Sequence, residues 1–311
     1  MERADVTDGL VSLRSPGLPG VLSTRAAIVT GGAEAGSVTF GPSGHQVQAA
    51  VVSMRRTLSD IPVTSATLFR GLQLALHHLA TRSSYRTAVL AVPVADGDLL
   101  AVAAAAGFRP ASTVTRTCYL TRPVPPLTYT DGVITIRRQE IGDIDAHLAG
   151  IDDDQIDWLW GPLARRGWEA LTPAEQRAHN LAHLRRMRDS FGAGPKWTFS
   201  ADTADAPYVT YVDCDLANDA VPAGQANISY TTQPLFRGRG YTSRSVRLVA
   251  SFLREHTGAT QAHIIVDERN VASLRVARAV GAVESGRFRT RHGDAMIRHI
   301  LPLRPSAGAA G

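Results

Sequence analysis

Between residues 242 and 256 the apolar positions Val246, Val249 and Leu253 recur at spacings of three and four, with Leu248 and Phe252 beside them. That spacing predicts an amphipathic helix from about Thr242 to His256. The period then changes. His263 to Val266 reads as a short buried strand, and Asn270 is placed to cap a second helix whose Leu274, Ala277 and Val280 share one face before Gly281 ends it. Upstream, Val133 to Arg137 alternates like a strand, Asp143 to Leu148 begins a helix, and Pro173 to Ser190 reads as helical. Strand-like runs follow at Lys196 to Ser200, Tyr208 to Cys214 and Ala226 to Thr232. Near the end, Gly286 to Thr290 and Ala295 to Leu301 form a predicted hairpin across His292, Gly293 and Asp294.

The earlier half repeats part of this pattern. Shifting the chain by 174 residues places Val92 on Val266, Asp96 on Asn270, Ala103 on Ala277 and Gly107 on Gly281, while Thr67 to Leu79 occupies the position of the earlier helix. A tandem duplication is the expectation. The prolines of Arg122-Pro123-Val124-Pro125-Pro126-Leu127 favour extended backbone and mark the junction. The expected organisation is a first domain over 1–122, a linker over 123–130, a second domain over 131–303 and a frayed tail over 304–311.

With 311 residues, 44% hydrophobic and 20% charged, the chain has the composition of a globular protein with two cores rather than of a disordered or fibrous one. Its longest apolar region, Ala88 to Phe108, is interrupted by Pro93, Asp96, Gly97 and Asp98, so it reads as strand, turn and helix and not as a membrane span. Cys118 and Cys214 are the only cysteines and lack a CxxC spacing, so neither a disulfide framework nor a metal site is expected. The N-terminus has no secretory pattern, and a cytoplasmic location follows as an expectation. The net charge of +5 comes almost entirely from scattered arginines, with Lys196 the single lysine. This argues against nucleic acid and for a modest pull on phosphate-bearing ligands.

The residues that carry chemistry cluster late. Ile228-Ser229-Tyr230-Thr231-Thr232-Gln233-Pro234-Leu235-Phe236-Arg237-Gly238-Arg239-Gly240-Tyr241-Thr242 runs from a strand through a glycine and arginine loop into a helix start. Glycines let backbone N–H groups approach a pyrophosphate, the helix offers its positive end, and Arg237 and Arg239 add charge. A second motif, Asp267 to Gly281, holds Asn270 and Ser273 at the start of its helix. Together these resemble the GCN5-related N-acetyltransferases (GNAT), most closely the branch of the ribosomal-protein alanine acetyltransferases. Thr242 and Ala282 depart from the family pattern, which has Gly or Ala and Phe at those places.

The resemblance implies an α/β (α+β) fold, a mixed central sheet flanked by helices, here in tandem with a degenerate N-terminal domain. It implies acetyl-CoA as co-substrate, in a gap where the fourth strand splays from the fifth, with no metal. Thr231, Thr232, Arg237, Gly238, Arg239, Gly240, Tyr241, Thr242, Asn270 and Ser273 are the expected cofactor residues. Ser273 is a candidate proton donor, since Ala277 stands where other relatives have tyrosine. Asn227 replaces the glutamate that often serves as base, leaving Asp213, Asp215 or Tyr230 through a water. Asp154, Trp158 and Trp160, in an acidic and indole-rich stretch that also includes Trp168 further on, suit a cationic acceptor. The apolar setting of His263 suggests a structural role. The expected activity is acetyl transfer to a primary amine of a small molecule or an N-terminal residue. A non-catalytic acyl-CoA sensor, another acyl donor and a homodimer stay open.

Overall fold

The computed structural model describes residues 6–15, 25–43, 48–56, 63–290 and 293–304, with the backbone alone over 159–164. The chain divides into two compact units, the first built mainly from residues 1–127 and the second from most of residues 128–311.

In the first unit, eight strands form one sheet: β1 (Val6–Thr7), β2 (Val11–Arg14), β3 (Arg25–Thr30), β4 (Ala33–Pro42), β5 (Ala49–Arg56), β6 (Thr87–Pro93), β7 (Arg109–Val114) and β8 (Thr117–Pro123). Helix α1 (Ser65–Arg82) connects β5 to β6, and α2 (Gly97–Ala105) connects β6 to β7. The order is β1-β2-β3-β4-β5-β6-β8-β7, with β5 and β6 parallel and the other neighbours antiparallel. Leu68, Leu72 and Leu76 of α1 are buried in the same core as Ile28, Val52 and Leu90 of the sheet. Thr64 starts α1 by accepting from the Thr67 N–H, and Asp96 starts α2 by accepting from the Leu99 N–H.

The second unit has the same strand order. Its strands are β9 (Tyr129–Thr130), β10 (Thr135–Arg138), β11 (Lys196–Asp202), β12 (Thr210–Asp215), β13 (Ala226–Thr232), β14 (Gln261–Asp267), β15 (Val283–Arg289) and β16 (Ala295–Pro302). They run β9-β10-β11-β12-β13-β14-β16-β15, with β13 and β14 parallel. Four helices lie between β10 and β11: α3 (Ile144–Ala149), α4 (Asp153–Gln155), α5 (Gly161–Glu169) and α6 (Pro173–Ser190). Helix α7 (Tyr241–His256) follows β13, and α8 (Val271–Ala279) follows β14. Thr172 and Glu175 form a capping box at the start of α6, with Pro173 in its first turn.

As the periodicity predicts, Val246, Val249 and Phe252 of α7 are fully buried. The Phe252 ring lies 5.5 Å from that of Trp197 and 5.0 Å from that of Phe199, so α7 is anchored on β11 through aromatic contacts. Several boundaries differ from the sequence reading; β15, for one, begins at Val283 rather than Gly286. Tyr208 has φ +55, outside the strand region, so β12 begins at Thr210. Strand pairing also reaches into the expected linker, because Pro123 ends β8 and β9 already begins at Tyr129. Among the described residues no helix is long and apolar enough to cross a membrane.

Candidate active site

Strand pairing sets the site. β13 and β14 are joined only at Ala226 with Ala262 and Asn227 with His263, although β13 continues to Thr232 and β14 to Asp267. In the first unit the corresponding β5 and β6 stay paired over Ala49–Val52. Beyond Asn227 alternate residues of β13 keep their ladder to β12, and the intervening backbone N–H and C=O groups point toward β14 without a strand partner. A cleft of about 600 Å³ fills this gap, lined by Ile228 to Thr232, Ile264 to Asp267 and the start of α8. Its open backbone edge suits an extended ligand that carries amides of its own.

The glycine loop forms one end of the cleft. Gly238 and Gly240 both have φ +78, and a Cβ at either would meet nothing within 4 Å, so conformation rather than space calls for glycine. The N–H groups of Gly238, Arg239, Gly240, Tyr241 and Thr242 make no hydrogen bond among the described residues. They stand at the positive end of the 16-residue α7, an arrangement suited to phosphate oxygens. The Thr242 hydroxyl bonds that of Thr232, which lies 3.2 Å from the hydroxyl of Thr210. The departure from the family pattern at Thr242 therefore ties the start of α7 to the end of β13.

Arg237 also lines the cleft. Its guanidinium meets Asp152 at 2.8 Å and Asp154 at 2.9 Å and donates to the Thr232 C=O at 3.2 Å, so its charge is spent within the protein. Burial pushes the Asp152 carboxyl up, but the bonds from Arg237 and the Gln155 N–H outweigh it and hold Asp152 below the usual carboxylate range. Asp154 and Trp158 line the same cleft, the Trp158 ring having the Arg269 guanidinium 5.7 Å from its centre. The Trp160 side chain lies outside the described residues. Arg239 lies over the Phe236 ring at 5.5 Å.

Asn270 caps α8 by accepting from the Ser273 N–H at 3.0 Å through Oδ1, and its amide N–H groups have no partner among the described residues. Ser273 lines the cleft, and its C=O accepts from the Tyr230 hydroxyl at 3.3 Å. Burial pushes the Tyr230 phenol up to about 12, so it is protonated at neutral pH. Asp213, on β12, is 3% exposed. Burial raises its carboxyl above the ordinary value, against the pull of Lys196 at 3.1 Å. His263 is buried in β14, as its apolar setting suggests.

Several polar side chains that the sequence did not single out converge beside Asp213. Lys196 and Tyr211 share its face of the sheet through the β11–β12 register, and Ser229 sits directly opposite it on β13. His147 and His183 stack with ring centroids 6.2 Å apart. The spacing of His179 and His183 by four on a helix was the available sign that they share a face.

Residues 134–283 match the family model described as an acetyltransferase (GNAT) domain. Among solved structures, a GNAT-family acetyltransferase from Bacillus anthracis shares 15% identity, covering 57% of this chain and 98% of that one at a TM-score of 0.45. The ribosomal-protein-S5-alanine acetyltransferase from Vibrio fischeri shares 13%, covering 57% and 97% at 0.47. The aminoglycoside acetyltransferase AAC(6')-Ib, solved with coenzyme A, shares 16%, covering 54% and 94% at 0.42. No curated protein matches the chain in sequence. On the family match, residues 134–283, mostly within the second unit, are a GNAT acetyltransferase domain.

Proposed function

We propose that the second unit transfers the acetyl group of acetyl-CoA to a primary amine, of a small molecule or of an N-terminal residue. The observation that carries this reading is the gap between β13 and β14 beyond Asn227, open along its backbone and ending at the unbonded N–H groups of Gly238 to Thr242. The pantetheine amides would pair with the free edge of β13, and the pyrophosphate would take the loop N–H groups. Asn270 would donate to the pantetheine. The acceptor nitrogen, once neutral, forms its bond to the acetyl carbonyl carbon as the C–S bond breaks; one proton leaves through a carboxylate such as Asp213 and another ends on the departing thiol. Ser273, which lines the cleft, is the candidate to supply that last proton.

The first unit fits a degenerate copy of the second. It has the same strand order, yet Arg56 reaches Asp96 at 3.2 Å and Asp98 at 3.3 Å at the start of α2, where the second unit has Asn270 beside its cleft. Ile61, in the segment that corresponds to the glycine loop, lies outside the described residues. Asn227 and Ala277, in place of the acid and tyrosine of relatives, also favour a second reading as an acyl-CoA sensor, which turnover of any amine would exclude.

Calorimetric titration of acetyl-CoA into the protein and into Gly240→Glu tests the main reading. One site in the parent and none in the folded variant is the expected result; equal binding in both, or none in the parent, refutes it.

A further inference from the structure

A second cavity of about 600 Å³ lies in the same unit, beside the β12 face that carries Asp213. Its walls include His179, His183, Lys196, Tyr211 and Asp213, with Trp168 on α5. It shares Gln155 and Ser229 with the cofactor cleft, so the two spaces adjoin at β13. Its volume is in the range of small-molecule sites.

The charge inside is balanced before anything binds. Lys196 Nζ lies 3.1 Å from Asp213 Oδ2, and the Tyr211 hydroxyl donates to that same oxygen at 2.5 Å. Asp213 Oδ1 has no partner among the described residues. Burial holds His183 down at about 4, with nearby cationic groups adding to the effect, and burial also lowers His147. Both rings are therefore neutral at pH 7 and serve as flat polar surfaces. Among the described residues no group of His, Cys, Asp or Glu is arranged to hold a metal ion.

A lone ammonium entering here would meet a carboxylate already matched by Lys196. It would leave one surplus positive charge beside the buried Asp213 carboxylate in a half-open cavity, which is unfavourable unless an anion accompanies it. We propose that this cavity is the acceptor site and that it takes a small zwitterionic amine, an amino acid or a comparable amine bearing a carboxylate. The ammonium pairs with Asp213 Oδ1, the carboxylate with Lys196, and the remainder lies against Trp168 and the imidazoles. This rests on the reading that the adjoining cleft holds acetyl-CoA. The ammonium gives one proton to Asp213, the nitrogen bonds to the acetyl carbon, the C–S bond breaks, and the second proton goes to the thiolate, yielding the N-acetyl amino acid and CoA thiol.

The test uses the full chain, acetyl-CoA and three matched pairs: histidine with histamine, phenylalanine with phenethylamine, and lysine with cadaverine. Thiol release and product mass are followed, with acetyl-CoA binding measured by calorimetry alongside. In at least one pair the amino acid is expected to exceed its decarboxylated partner by about tenfold or more in kcat/KM, the scale of one charged hydrogen bond. Lys196→Met is expected to raise KM for that amino acid by a similar factor, to lower KM for the amine, whose ammonium then meets an unmatched carboxylate, to leave the binding of acetyl-CoA within about twofold, and so to abolish or invert the preference; Lys196→Arg is expected to restore part of it. Equal or better use of the amines, an unchanged preference in Lys196→Met, or acetyl-CoA binding with none of the six acceptors acetylated overturns the inference while the cofactor reading stands. Failure of the parent to bind acetyl-CoA overturns both.

Discussion

Tyr208→Phe removes one oxygen atom from the support of the histidine wall, and its cost can be worked from the bonds around it. The hydroxyl accepts from Gln139 Nε2 at 2.8 Å and sits 2.7 Å from His147 Nδ1. On the other side of that ring, Nε2 lies 2.9 Å from Asn180 Oδ1, while Asn180 Nδ2 donates to the Gln176 C=O at 2.9 Å. Because Asn180 Oδ1 only accepts, His147 carries its proton on Nε2, and Tyr208 must donate to Nδ1. The residues are buried, Gln139 completely and Tyr208 at 3% exposure. Phenylalanine keeps the ring volume, so no cavity forms, but it orphans one donor and one acceptor at about 1–3 kcal/mol each. A loss of about 2–6 kcal/mol in the stability of the second unit follows. Urea unfolding read by tryptophan fluorescence isolates that unit, because all four tryptophans, at 158, 160, 168 and 197, belong to it. The midpoint should fall with an unchanged slope. A loss below about 0.5 kcal/mol would refute the argument that the hydroxyl is doubly bonded in a dry setting.

Two further outcomes separate roles that coincide in one residue. Asn270→Asp keeps an oxygen to cap α8 but removes the amide N–H groups and adds negative charge, so stability should change little while the acetyl-CoA Kd rises about tenfold or more by calorimetry; Asn270→Ala should lose about 1 kcal/mol of stability as well. Normal affinity in the Asp variant would leave Asn270 a cap only. His183 has its folded pKa depressed from 6.5 to about 4, so between those values the unfolded chain binds the extra proton and stability falls as the pH is lowered through that window. His183→Gln should flatten this part of the stability profile measured by urea unfolding, and an unchanged slope would mean that the ring is solvated.

The most legible parts of the chain are those whose physics is local. The helix over Tyr241–His256 follows from spacings of three and four, and the cap at Asn270 from a side chain that reaches its own Ser273 N–H three residues on. The unusual backbone of Gly238 and Gly240 is also announced by the residues themselves. The strands before residue 60 were less legible, because apolar runs such as Arg25–Thr30 lack a clear alternation. What tertiary structure alone decides is which charges meet. Arg237 reads as a phosphate ligand from its loop, yet carboxylates more than 80 residues earlier in the chain, Asp152 and Asp154, take its guanidinium. Asp213 reads as one carboxylate on a strand, and only the β11–β12 register brings Lys196 to it while α6 carries His179 and His183 to the same cavity. Periodicity reports which face of an element is buried. The partners across that face depend on strand register and helix placement, which are set by the packing of the whole unit, so the sequence determined the main elements and the glycine loop of this protein while the folded chain decided the charge balance of its site.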